Sequence, residues 1–291
     1  MPPVMGAGAF IMASYTQVSY LTIVAVAALP ALLYFLSVAM FVRIEAKRSH
    51  AVKLEDEETP RLATVLKGGW HFLLPLVVLV AALVYGFTPT YAAGIAIVSV
   101  ILASWLSGRP MGVRDIVEAL AMGARNIMTT AILLITVGLI VMVVSTTGIG
   151  NTFSLMITDW AGGSLLVTIL LVALASLILG MGLPVTAAYI VLATLSAPAI
   201  YQLIAQGQLL DLLMAGQLPE QAKAIFMLVA PDQLPQLNAP MDQATAMALL
   251  AAVPDTFSRQ LLELALSPAT LAMALVAAHM IIFWLSQGSN V

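Results

Sequence analysis

Residues 19–42, 72–87, 91–107, 126–146, 163–179 and 268–286 are apolar runs, each close to the length an α-helix needs to cross a bilayer. None alternates with a two-residue period, which sets a β-barrel aside. The balance of the whole chain agrees. Of 291 residues, 62% are hydrophobic and 9% charged, and the mean hydropathy is +1.05. A soluble domain carries about a quarter charged residues. The expected fold class is therefore an all-α polytopic membrane protein. A net charge of −3 without a basic stripe argues against nucleic-acid binding. With no cysteine, disulfides, thiolate metal sites and Cys nucleophiles are excluded.

Charge orients the runs. Arg43, Lys47, Arg48, Lys53, Arg61 and Lys67 crowd the polar stretch 43–69, and Arg109, Arg114 and Arg125 follow on the same side. Residues 201–265 carry Asp211, Glu220, Asp232, Asp242, Asp255 and Glu263 against only Lys223 and Arg259. The positive-inside rule places the basic segments in the cytoplasm and 201–265 outside. Val113, Ile116, Val117 and Leu120 share one helical face, with Arg114, Asp115 and Glu118 on another, as in a surface helix lying along the membrane. Thr146-Thr-Gly-Ile-Gly150 is a helix stop. Within 201–265, helical stretches are expected near 202–215, 219–229 and 241–265, forming an extracytoplasmic insert that packs on the rest or docks a partner.

The stretch Gly180-Met-Gly-Leu-Pro184 interrupts an otherwise apolar region that runs on to residue 200. Backbone freed from helical bonding at membrane depth is tolerated only inside protein or beside a watery cavity. Ion-coupled carriers place ligands at such breaks, using freed carbonyls and half-helix N-termini. Residues 163–200 form either a re-entrant hairpin or two crossings; both keep the same parity. The candidate ion and substrate residues are Gly180, Met181, Gly182, Pro184 and Thr186. The glycines would offer carbonyl oxygens, Pro184 would block helix continuation, and Thr186 would add a hydroxyl. Ser286, Ser289 and Asn290, at the end of the last run, are candidates to complete the same site. His279 lies within that run with no carboxylate in the neighbouring spans, as a neutral packing histidine or a functional group.

At this point the residues match a known pattern. Gly180-Met-Gly-Leu-Pro-Val-Thr-Ala-Ala-Tyr-Ile-Val-Leu-Ala-Thr-Leu-Ser-Ala-Pro-Ala resembles the second re-entrant hairpin of the large, DctM-like membrane subunit of TRAP transporters. More narrowly, it is similar to the fused permeases that work with TAXI-type binding proteins. Pro2-Pro-Val-Met-Gly-Ala-Gly-Ala-Phe-Ile-Met-Ala13 resembles the broken helix after the first hairpin. Pro30-Ala-Leu-Leu-Tyr-Phe through Glu45-Ala-Lys-Arg48 resembles the span that follows, and Thr147-Gly-Ile-Gly150 the family's helix stop. The likeness covers 1–200 and 268–291 but not the insert.

The resemblance implies an inverted-repeat, ion-coupled transporter with re-entrant hairpins and broken helices, of which this chain holds part. Its expected organisation is 1–42 as the end of the first repeat (a broken half-helix and one span), 43–70 as a cytoplasmic loop and 71–107 as a two-helix membrane hairpin. Residues 108–200 would form the second repeat with surface helix, span and re-entrant hairpin, 201–265 the extracytoplasmic insert, and 266–291 the start of the second broken helix. Pro2, Pro3 and Gly6 would be the remnant of a first site. The family implies sodium as the coupling ion, no other cofactor, and an elevator-like uptake of an organic anion, commonly a carboxylate. The implied partners are a TAXI-type periplasmic binding protein and the remainder of the permease, including its small membrane subunit, in a bacterial inner membrane.

Both ends are expected to be cut, making the chain an internal piece of a larger permease: the basic leader of a signal peptide is absent, and the C-terminus stops directly after an apolar run. An intramembrane enzyme is the rival from another class, but no serine–lysine or serine–histidine set, aspartate pair or zinc constellation lies at membrane depth. A non-transporting assembly subunit is the other alternative.

Overall fold

The computed structural model describes residues 7–49, 64, 68–106 and 110–287. The contacts divide the chain into two units, Met1–Ala13 with Ser19–Leu133 and Ser14–Val18 with Leu134–Val291. Helices α1 (Ala7–Thr16) and α2 (Tyr20–Arg48) are separated at Gln17, which takes a left-handed φ of 55°. Ser19 caps α2 by accepting the Thr22 N–H at 3.2 Å, and Phe10 stacks on Tyr20 at 4.5 Å. At ~1.5 Å per residue, α2 is longer than a bilayer core, so its last turns with Lys47 and Arg48 emerge, where cations favour a helix C-terminus.

A short 3-10 turn, Trp70–Phe72, leads into α3 (Leu73–Val84). Gly86 (φ 87°) turns the chain, and Pro89 starts α4 (Pro89–Trp105) at a position that needs no N–H donor. The two pack through Ala82, Leu83 and Ala92.

Helix α5 (Val113–Thr147) departs from the reading of a separate surface helix. The amphipathic stretch at 113–120 runs without a break into the span as one helix of 35 residues. The lone Gly123 between them weakens a helix by only about 1 kcal/mol, too little to end it. The stop at Thr147 is as expected: Gly148 adopts φ 71°, and α6 (Ile149–Trp160) begins at once.

Gly162 and Gly163, both at positive φ, feed Ser164, whose hydroxyl caps α7 (Leu165–Gly180). After the break, α8 (Val185–Met214) runs for 30 residues. Its first turns are buried all round, Ala187 through Ala193, because α6, α7 and the last helix, α12 (Pro268–Gln287), all pack on it. Alanines at 187, 188, 193, 197 and 199 permit this close approach. Pro198 leaves the Thr194 carbonyl without its helical donor. There α6 presents Gly150, whose missing Cβ would stand 3.2 Å from that carbonyl oxygen, and Ser154, whose hydroxyl donates to the Leu195 carbonyl at 2.6 Å.

The insert is built on the end of α8. Gly216 (φ 65°) closes that helix, and α9 (Glu220–Val229), a 3-10 turn (Pro231–Asn238), α10 (Gln243–Ala251) and α11 (Asp255–Ala265) follow. They enclose their own core, including Leu209, Leu213, Phe226, Leu237, Leu249 and Leu261. Buried Lys223 donates to Glu220 Oε1 and Asn238 Oδ1, at 2.5 and 2.6 Å, tying the 3-10 turn to α9. The helix expected over 241–265 is two, since Pro254 starts α11 afresh.

Among the described residues, four helices are long and apolar enough to cross a membrane: α2, α5, α8 and α12; α3, α4 and α7 are shorter apolar helices. On α2 and α5 most large apolar side chains, Leu32, Phe41, Ile127 and Ile135 among them, face outward. Apolar patches of that extent suit lipid rather than water. No strand occurs among the described residues. The protein is an all-α polytopic membrane protein.

Candidate functional site

Helix α7 stops at Gly180, and residues 181–184 are non-helical before α8 starts at Val185. The local cause is plain in the residues. Pro184 has no N–H to continue a ladder, and it sits at the start of α8 with φ −59° and ψ 151°. Gly182 closes the last turn with a long bond to the Leu179 carbonyl at 3.4 Å. Gly180 is buried, Gly182 and Pro184 are exposed, Thr186 is half-buried, and Met181 is 77% exposed.

Two helix ends therefore meet at one tip. The end of α7 offers carbonyl oxygens and the start of α8 offers N–H groups at Val185, Thr186 and Ala187, with no side-chain cap on α8. The first set is suited to a cation and the second to an anion. The first helical bond of α8, Ala188 N–H to the Pro184 carbonyl at 2.9 Å, lies beyond them.

Helix α12 runs antiparallel to α8. Tyr189 meets His279, and further from the tip Ile204 and Gln208 share a groove with Thr270 and Met273. That direction carries the C-terminal end of α12 to the tip. Ser176, one turn before Gly180, donates to the Leu285 carbonyl at 3.1 Å, sharing its proton with the Ala173 carbonyl at 2.9 Å. Ser286 is fully buried and its hydroxyl donates to the Phe283 carbonyl at 2.7 Å. Ser289 and Asn290, and likewise Pro2, Pro3 and Gly6, lie outside the described residues.

Three polar residues acquire roles that no motif announced. Tyr189 and His279, both buried, share a hydrogen bond of 2.9 Å between the phenol oxygen and Nδ1. The Tyr15 ring stands 6.0 Å from His279, and Phe283 meets Tyr189 edge-on at 5.4 Å. Ser176 belongs to the buried stripe Thr168, Val172, Ser176 and Gly180 of α7. The fourfold spacing of that stripe was the available signal for which face turns inward.

A broken hairpin packed against a further apolar helix in a polytopic bundle is an arrangement that ion-coupled carriers use. The comparison with known families narrows this. Residues 1–218 match the model of the tripartite ATP-independent periplasmic transporter, DctM component. The match covers most of the 291 residues, and the protein belongs to this family. It is thus a TRAP-type transporter permease, multi-pass in the inner membrane, of a family that works with a periplasmic binding protein and a small membrane subunit and is one of transporters, not enzymes. The hairpin falls inside the match, whereas most of the insert and all of α12 fall outside it. Neither a curated protein nor a solved structure matches the chain.

Proposed function

We propose that this permease drives uptake of an organic anion, a carboxylate, with sodium as the coupling ion, and that its hairpin is re-entrant with the tip as binding site. The observation that carries this reading is the helix break at 181–184, between two apolar helices and beside the end of α12. Sodium is a hard cation that favours oxygen ligands, and carbonyls at Gly180, Met181 and Gly182 supply them. Pro184 keeps the break open and Thr186 adds a hydroxyl. Ser286, Ser289 and Asn290 are assigned to complete this site, and Pro2, Pro3 and Gly6 to its counterpart in the other inverted repeat. The anion's carboxylate takes N–H groups at the start of α8. Delivery is by a TAXI-type binding protein, and the hairpin unit moves elevator-fashion.

The test is uptake into proteoliposomes containing the permease with its small membrane subunit and binding protein, using labelled mono- and dicarboxylates. Accumulation under an inward sodium gradient, absent under an equal potassium gradient, is expected. Accumulation indifferent to sodium would refute the coupling ion, and selectivity for cationic solutes would refute the substrate class.

A further inference from the structure

The tip cannot hold its own position. Gly180, Met181, Gly182, Leu183 and Pro184 bring no hydrogen-bonding side chain, so whatever fixes their carbonyls must come from the two arms. On each arm a polar side chain is bonded to α12. On the first, Ser176 donates to the Leu285 carbonyl at 3.1 Å; on the second, Tyr189 pairs with His279 at 2.9 Å. The partners are separated by 109 and 90 residues in the chain, so neither bond is a by-product of local helix geometry.

The placement of these bonds is specific. Ser176 stands one turn before Gly180, and Tyr189 one turn after Val185. Their partners on α12 lie six residues apart, about 9 Å along its axis. Tyr189 is fully buried and His279 only 5% exposed, so water does not compete for their bond. The Tyr15 ring packs near His279 and the Phe283 ring meets Tyr189 edge-on.

We infer that Ser176 and the Tyr189–His279 pair are positioning residues for the coupling-ion site, pinning both arms of the hairpin to α12 so that the tip carbonyls keep one spacing against the end of that helix. The inference rests on the reading of the tip as a sodium site. Loss of either bond loosens the tip without removing a ligand. Sodium affinity should therefore fall while the rate at saturating sodium is kept.

The experiment measures initial uptake against sodium concentration in proteoliposomes of the complete transporter. Ser176→Ala and Tyr189→Phe are each expected to raise the sodium concentration for half-maximal uptake roughly fivefold or more, the worth of one buried hydrogen bond. Their maximal rates should stay near wild type. Ser154→Ala removes a comparable serine–carbonyl bond between α6 and α8, away from the tip, and should leave the half-saturation unchanged. His279→Gln keeps an acceptor for the Tyr189 hydroxyl and should shift it less than His279→Leu. Unchanged half-saturation in both Ser176→Ala and Tyr189→Phe, or an equal shift in Ser154→Ala, would overturn the inference. A wild type indifferent to sodium would instead overturn the ion-coupling reading, and the inference with it. Should Tyr189→Phe assemble poorly, the sodium-dependent rise in melting temperature of the purified Ser176→Ala variant decides: a full wild-type rise contradicts the inference, a reduced one supports it.

Discussion

Replacing Gly182 with valine separates a binding role for the hairpin tip from a packing role. A Cβ built at Gly182 meets no atom within 4 Å, and the residue is not in the left-handed region that only glycine tolerates. Valine therefore creates neither a clash nor backbone strain, and the sodium-free stability should change by no more than about 0.5 kcal/mol, as at an ordinary surface position. The isopropyl group would, however, add bulk at the tip proposed to hold the ion. Sodium at a hundredfold over its dissociation constant protects the folded state by about 2.7 kcal/mol, and a tenfold loss of affinity reduces this to about 1.4 kcal/mol. The assay is thermal unfolding of the purified permease in nanodiscs, in sodium chloride against choline chloride of equal ionic strength. Wild type and variant should unfold together in choline and apart in sodium. Equal protection by sodium in both would refute the reasoning. So would a drop in choline as large as the protection lost, because the glycine would then be structural.

The insert offers sharper stability contrasts. Gly216→Ala would force a left-handed φ on alanine and bring its Cβ to 2.7 Å from the Ala239 carbonyl carbon. It should destabilise the insert by about 2 kcal/mol or more, read as faster hydrogen exchange over 220–265. Gly207→Ala lies within α8 with open space around it and should stabilise by up to about 1 kcal/mol; protection unchanged or reduced would count against the packing described. The Thr245 hydroxyl bonded to Asp242 holds that carboxyl below the ordinary carboxylate range. Its stabilising contribution is present above the unfolded-state value of about 3.9 and is lost as pH falls through the lower folded value. Thr245→Val should accordingly melt below wild type at pH 7, and the gap should close in strong acid; a gap that widens in acid would reverse the assignment.

How far the residues alone reveal this molecule depends on whether the cause is local. The stop at Gly148 and the break at 181–184 were legible because glycine and proline act on their own backbone. The apolar runs at 19–42, 126–146 and 268–286 marked three of the long helices, whereas α8 runs past the expected end of the hairpin at residue 200 to Met214. Where two weak signals competed, the reading failed. Gly123 was too mild to part the amphipathic stretch from the span in α5, and Pro254 divided what the composition of 241–265 suggested was one helix. The contacts around the tip were out of reach. Nothing near Ser176 or Tyr189 indicates that their partners are a carbonyl and an imidazole on α12, since that choice is made by packing over about a hundred residues of intervening chain. His279 shows the gain: an isolated ionisable residue in an apolar run proves to be half of a buried polar pair.

The central claim, a cation held by backbone oxygens at the hairpin tip, is tested most directly by electron cryo-microscopy of the complete transporter in lipid, in sodium and in choline. The account expects a compact density within oxygen-coordination distance of the carbonyls of Gly180 and Gly182 in sodium, lost in choline. A helix running unbroken through residues 180–186, or a vacant tip at sodium concentrations that saturate uptake, would contradict it.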